Sequence, residues 1–168
     1  MDPWTEQWAR LQRWFERFRK TNSGRTHVES SDHLQDEVYA FFQNCYHLKD
    51  WLTEDASSSG KVEDVEDLIS NSQYLNLCAD LCNGSKHLRL KRPRGSADTR
   101  IARRDFQIGL TDSIGPIAGA DAAPGDDPPS TIAAQYEVTA GGKTYDAFTI
   151  AGACMAEWQS YLKGKALL

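Results

Sequence analysis

Apolar residues recur along the first part of the chain at alternating spacings of three and four, which is the period of one face of an α-helix. The first such stripe consists of Trp4, Trp8, Leu11, Phe15 and Phe18. It predicts a helix over residues 3–20. Asp2 is placed to accept hydrogen bonds from the first free amides of this helix, and Pro3 fits its first turn.

A longer apolar seam follows and predicts a second helix over residues 31–53. The seam consists of Leu34, Val38, Phe41, Cys45, Leu48 and Leu52. It is widened by Tyr39, Phe42, Tyr46 and Trp51. Because such a wide apolar surface must contact neighbours on more than one side, we expect this helix to lie at the centre of a bundle.

Two shorter helical patterns complete the predicted bundle. The first is an acidic helix over residues 61–70, and the second is a helix that Ser70 or Ser72 can cap. The inward positions of this fourth helix are Leu75, Cys78, Leu81 and Cys82. Asn83-Gly84 is a favourable place for it to end, since both residue types tolerate left-handed backbone conformations.

The periodicity changes after His87. Phe106, Ile108 and Leu110 alternate with other residues as in a half-buried strand. Residues 136–140 and 143–148 flank Gly141-Gly142 and predict a hairpin with a tight turn. Residues 113–130 are rich in Gly, Pro and Asp and predict a long loop.

A final apolar pattern predicts a C-terminal helix over residues 149–163, and its Met155, Trp158 and Tyr161 are the natural cover for the small sheet. The predicted fold is α+β, in a single domain over residues 1–168. A four-helix bundle occupies residues 1–90, and a three-stranded antiparallel sheet with the C-terminal helix occupies residues 104–168.

Composition limits the classes of function. Forty per cent of the residues are hydrophobic and 26% are charged, which is typical of a soluble globular protein. No apolar run is long enough to cross a bilayer, and the N-terminus lacks the features of a signal peptide. We therefore expect a cytoplasmic protein without membrane association.

Charge is distributed unevenly although the net charge is −5. Of the 19 Lys and Arg residues, six fall between Arg10 and Arg25 and eight between Lys86 and Arg104. A polyanion would respond to such local fields rather than to net charge. The second segment could bind along the phosphates of a nucleic acid. It could also be a surface loop or a docking site for an acidic partner. Its candidate nucleic-acid contacts are Arg89, Arg92, Arg94, Arg100, Arg103 and Arg104.

Several polar side chains that could take part in catalysis lie close together at the end of the fourth predicted helix. If that helix continues past Gly84, Asp80, Asn83 and His87 share one face, and His87 could act as a general acid or base beside Lys86. If it ends at Gly84, Asn83 is a cap residue and the cluster is structural. A second cluster, with Asn44 and His47, lies on the second helix and could face the first.

A helical bundle with Asn83 and His87 late in a helix resembles the HEPN superfamily of small all-helical domains. Many of its members are ribonucleases of toxin–antitoxin and phage-defence systems, and they often dimerise with two motifs facing one cleft. The resemblance implies a metal-independent, RNA-directed activity centred on His87. The family's motif Arg is absent, because the corresponding positions hold Asp80, Leu81 and Cys82. Lys86 and Arg89 are the candidates for its phosphate-binding role.

The four cysteines allow two interpretations. Cys78, Cys82 and His87, with Cys45 or His47, could supply four zinc ligands. All four, including Cys154, also sit within apolar helical patterns, where reduced thiols behave as small core residues. We favour the second interpretation and expect no metal or other cofactor.

Two hypotheses of function follow from these observations. The first is a HEPN-like RNA-directed protein or ribonuclease that uses His87, Asn83, Lys86 and Asp80. The second is a non-catalytic protein–protein interaction module. Its partner would be a second copy of the chain or an operon-encoded protein, and Trp14 or Trp51 could contribute to the contact.

Overall fold

The computed structural model describes residues 2–26, 31–86, 93–94, 98–110 and 130–168. Its helices are α1 (Pro3–Ser23), α2 (Ser31–Glu54), α3 (Val65–Asn71), α4 (Gln73–Lys86) and α5 (Ala147–Gly164), with a short 3₁₀ turn at Ser59–Lys61. Its strands are β1 (Arg25–Thr26), β2 (Arg100–Leu110), β3 (Ser130–Ala140) and β4 (Lys143–Asp146). The predicted α+β fold is confirmed.

The helices pack around α2, as the width of its apolar seam predicted. α2 contacts α1, α4, α5 and the 3₁₀ turn. Five phenylalanine rings fill the space between α1, α2 and α5. They are Phe15, Phe18, Phe41, Phe42 and Phe148. Phe18 is fully buried among them, with ring centroids 5.4 Å from Phe148 and 5.9 Å from Phe41.

The start of α1 differs from the prediction. The Asp2 side chain makes no cap hydrogen bond, whereas the Trp4 amide donates to the Asp55 carboxylate at 3.0 Å. A residue just beyond the end of α2 therefore caps α1, which the antiparallel packing of the two helices allows. The predicted cap of α4 is confirmed, because the Leu75 amide donates to Ser72 Oγ at 3.0 Å.

The sheet is antiparallel and has β3 at its centre. β2 pairs with one edge of β3 in a register that sets Ile101 opposite Val138, with an irregularity between Arg103 and Asp105. The other edge pairs with β4 and with the two-residue β1, which the sequence did not predict. The meander order β2, β3, β4 was predicted.

The predicted tight turn joins β3 to β4. Gly141 and Gly142 have φ of 57° and 73°, and the flanking pair is Ala140 with Lys143. A two-residue turn with both φ values positive matches the right-handed twist of a hairpin, and glycine adopts it without steric cost.

Two helices cover the apolar face of the sheet. α5 contacts β3 and β4 as predicted, and α1 also packs against β3. α5 begins at Ala147, because Asp146 caps it by accepting from the Thr149 amide at 2.7 Å. Within the described ranges, no helix combines the length and apolar character that a membrane span requires. The predicted 113–130 loop falls almost wholly outside the described residues.

Candidate functional site

The fourth helix does not end at Asn83-Gly84. α4 continues to Lys86, so the interpretation of this pair as a helix stop was wrong. Asn83 and Gly84 are half-buried, and Ser85 is exposed and accepts a hydrogen bond from Gln43 Nε2 at 2.9 Å. α4 therefore has the length required to align Asp80 with Asn83. His87 and the side chain of Lys86 lie outside the described residues.

Asp80 occupies a structural position. Asp80 is 1% exposed, and its carboxylate accepts a hydrogen bond from the backbone N–H of Arg94 at 2.7 Å. A strong hydrogen bond from a main-chain N–H to a buried carboxylate anchors the segment after α4 to the bundle. The Asp80 carboxylate thus has a structural contact that holds this part of the chain in place.

Arg94 is engaged by the bundle through its side chain as well. Its guanidinium lies 2.6 Å from Glu66 Oε2 and 5.9 Å from the Tyr46 ring centroid. It also donates to Ser70 Oγ at 3.3 Å. The Arg94 side chain therefore contacts both α2 and α3.

Three of the other predicted nucleic-acid contacts lie on β2. Arg100 is exposed at the start of β2. Arg103 and Arg104 follow on the same strand, but the structure does not describe their side chains. Arg89 and Arg92 lie outside the described residues.

The second predicted cluster divides between two partners. Asn44 lies against α1, where its carbonyl and side-chain oxygens accept from Gln7 Nε2 at 3.0 and 3.2 Å. His47 faces α4, and its Nε2 lies 3.6 Å from the sulfur of Cys82. Asn44 and His47 therefore serve two different helix contacts.

Three of the four cysteines meet in the core. Cys45 of α2, Cys78 of α4 and Cys154 of α5 are fully buried, and their sulfur atoms all lie within 4.8 Å of one another. We call these three residues the thiol triad. The sequence predicted that each is buried, but it grouped Cys78 with Cys82 and missed Cys154 as a neighbour. Cys82 is buried beside His47 instead.

The three sulfurs of the thiol triad affect one another's ionisation. Burial opposes charge on Cys45, but the neighbouring Cys154 and Cys78 thiols outweigh it and lower the pKa of Cys45. Burial raises the pKa of Cys78 and of Cys154. The Cys78 thiol donates to the Phe42 carbonyl at 3.2 Å. Cys45 is therefore the sulfur of the triad that ionises most readily.

A separate feature of the surface consists of guanidinium groups stacked on indole rings. The Arg17 guanidinium lies 4.7 Å from the Trp14 ring centroid, and that of Arg10 lies 5.4 Å from the Trp51 ring centroid. Arg13 is exposed on the same side of α1. We call these five residues the tryptophan–arginine face. Beside Trp51 is a surface pocket of about 270 Å³ that includes Pro3, Asp50 and Glu54.

Comparison with known proteins gave no match. No protein-family model, no curated protein and no solved structure matches this chain.

Proposed function

We propose that the chain is a non-catalytic interaction module that binds an acidic protein segment on the tryptophan–arginine face. The observation that carries the proposal is the pair of guanidinium–indole stacks, Arg17 on Trp14 and Arg10 on Trp51. Trp and Arg are enriched among the residues that supply most of the binding energy of protein interfaces. Both indoles are half-buried, so each offers a rigid apolar surface next to a cation.

The charges of this face point to an acidic partner. Arg13 and Arg17 form no ion pair with any described residue, whereas Arg19 and Lys20 on the same helix are paired with Glu16. An unpaired arginine can take a carboxylate in a bidentate arrangement. Electrostatic complementarity of this kind accelerates encounter and excludes basic partners.

Three of the predicted site residues make structural contacts, and these contacts support a non-catalytic role. Asp80 and Arg94 hold a segment of chain against the bundle, and Asn44 holds α1 against α2. Each has a protein partner that accounts for its polarity.

A titration with two probes tests this function. The first probe is a fluorescein-labelled amphipathic peptide with a glutamate-rich face, and the second is a labelled single-stranded RNA of matched length. We expect the peptide to bind and the double variant Arg13→Glu/Arg17→Glu to weaken it by about tenfold or more, which corresponds to about 1.4 kcal/mol. The matched control is Arg19→Glu/Lys20→Glu, which changes two paired cations of the same helix.

Sedimentation of the same proteins separates the kinds of partner. A dimer that the Arg13→Glu/Arg17→Glu variant dissociates would make a second copy the partner. Equal peptide affinity in both double variants, with monomers throughout, would refute the proposal. Binding of the RNA alone would favour the function considered next.

An RNA-directed ribonuclease is the second candidate, and the length of α4 favours it. Because α4 passes through Gly84 to Lys86, Asn83 lies near the helix end that leads to His87. We propose to measure cleavage of a labelled RNA pool by the wild type and by His87→Ala, with and without a chelator. His33→Ala is the matched control, since His33 is exposed in the first turn of α2. Cleavage that survives the chelator and is lost only in His87→Ala would support this function, and inactive wild-type protein would exclude it.

A further inference from the structure

The thiol triad brings together three soft ligands from three different helices. Cys45, Cys78 and Cys154 lie far apart in the chain, yet their sulfurs are all within 4.8 Å of one another. None of the three is exposed, and none forms a disulfide. A single buried cysteine is an ordinary core residue, whereas three converging sulfurs form the donor set of a metal site.

The size of the triad fits a central ion. Zinc–sulfur bonds are about 2.3 Å long, so sulfurs around such an ion are separated by about 3.8 Å in a tetrahedron and about 4.0 Å in a plane. Three points within 4.8 Å of one another lie at most about 2.8 Å from a common centre. Each sulfur would therefore move by about 0.5 Å or less to reach bonding distance.

The number and type of ligands distinguish between metals. Structural zinc takes four ligands, and catalytic zinc completes its shell with water. Among the described residues, no other His, Cys, Asp or Glu joins the three sulfurs, and none of the three cysteines is exposed to solvent. Thiolate ligands select soft ions such as Cu(I). A three-coordinate, monovalent soft ion matches this donor set better than zinc does.

The surroundings of the triad also suit a thiolate–metal complex. The indole N–H of Trp158 is fully buried and has no nitrogen or oxygen acceptor among the described residues. Trp158 lies on α5 four residues after Cys154, so the two side chains share one face of that helix. A hydrogen bond from such a donor would orient a metal ligand and stabilise its charge. A metal-bound thiolate would therefore give the Trp158 indole N–H an acceptor.

We propose that Cys45, Cys78 and Cys154 form a buried three-sulfur site for a soft, thiolate-preferring metal ion of the Cu(I) type. On binding, sulfur–metal bonds replace S–H bonds and the released protons pass to solvent. The ion keeps its oxidation state, so no oxidant or reductant is needed. The Phe42 carbonyl loses the Cys78 thiol as a donor but remains within the hydrogen-bonded ladder of α2. The site is independent of the tryptophan–arginine face and extends the proposed function.

The experiment is an anaerobic titration of the full chain with Cu(I), and separately with Zn²⁺, followed by the ultraviolet thiolate-to-metal charge-transfer band. We expect one Cu(I) per chain and a rise in melting temperature on binding. Cys78→Ser should weaken binding by more than about 100-fold, which exceeds the usual loss from removing an outer hydrogen bond. Cys82→Ser is the matched control, because Cys82 is equally buried on the same helix but lies outside the triad.

Two outcomes of the Cu(I) titration would overturn the proposal. One is wild-type protein that binds Cu(I) no more tightly than Cys78→Ser, and the other is equal loss in Cys82→Ser. X-ray absorption of the wild-type complex gives an answer that does not depend on the variants folding. Three sulfur neighbours support the site, whereas a nitrogen or oxygen neighbour, or tighter binding of Zn²⁺ with four ligands, refutes the three-sulfur assignment.

Discussion

The backbone amide of Arg94 donates a 2.7 Å hydrogen bond to the buried carboxylate of Asp80, which joins the chain after α4 to the inside of the bundle. The same arginine reaches Glu66 and Tyr46 through its guanidinium. Both ends of this residue are thus fixed, one by the core and one by the surface of α2 and α3. The polarity of Asp80 serves this attachment.

The first prediction concerns Asp80. We expect Asp80→Ala to lower the free energy of unfolding by about 1–3 kcal/mol, because it leaves the Arg94 amide without its buried acceptor. Asp80→Asn should cost less, since the amide oxygen can still accept. Urea denaturation measures both, with Asp67→Ala as an exposed control that changes stability by less than about 0.5 kcal/mol. An Asp80→Ala variant as stable as the wild type would rule out the structural role.

A second prediction concerns the phenylalanine cluster between α1, α2 and α5. Phe18 is fully buried and contacts the rings of Phe41, Phe42 and Phe148. We expect Phe18→Ala to lower the free energy of unfolding by about 3–5 kcal/mol. Phe148→Ala should cost clearly less, because Phe148 is only half-buried although it stacks on Phe15 at 5.4 Å. The same denaturation experiment compares them, and equal losses would contradict the ranking.

The helices and the hairpin could be predicted because their signals are local. A period of three and four marks α1 and α2, and Gly141-Gly142 marks the turn between β3 and β4. The ends of the helices and strands were predicted less accurately. α4 continues past Gly84, and β3 begins at Ser130, before the first large apolar side chain of the predicted hairpin. The two-residue β1 has no pattern of its own and forms only because β3 offers a free edge.

The sequence did not predict which residues far apart in the chain come into contact. Cys45, Cys78 and Cys154 each occupy a predictable apolar position, but their convergence depends on how α5 is rotated against α2 and α4. No local pattern in the sequence encodes that rotation. The predicted pairing of Cys78 with Cys82 followed their spacing on one helix, whereas packing turns Cys82 toward His47.

A third prediction tests which carboxylate caps α1. The Trp4 and Ser57 amides both donate to Asp55, and these bonds hold the pKa of that carboxyl below its usual value. We expect Asp55→Ala to lower the melting temperature, because it removes the acceptor at the start of α1. Asp2→Ala should leave the melting temperature nearly unchanged, since the Asp2 side chain makes no cap bond. Calorimetry compares the two, and the reverse order would restore Asp2 as the cap.

The final prediction is a pH dependence at the contact between α3 and α5. Lys165 and Tyr161 each donate to the Asp64 carboxylate at 2.7 Å, and together they hold its pKa below its ordinary value of 3.8. A carboxyl group whose pKa is lower in the folded chain stabilises the fold above its unfolded pKa and loses that contribution as the pH falls through its folded pKa. Asp64→Asn should therefore lower the melting temperature at pH near 6, and its difference from the wild type should shrink below about pH 4. Asp67→Asn is the matched control, because Asp67 is an exposed aspartate in the first turn of α3. A difference for Asp64→Asn that is equally large at both pH values would show that the ionised carboxylate does not stabilise the contact between α3 and α5.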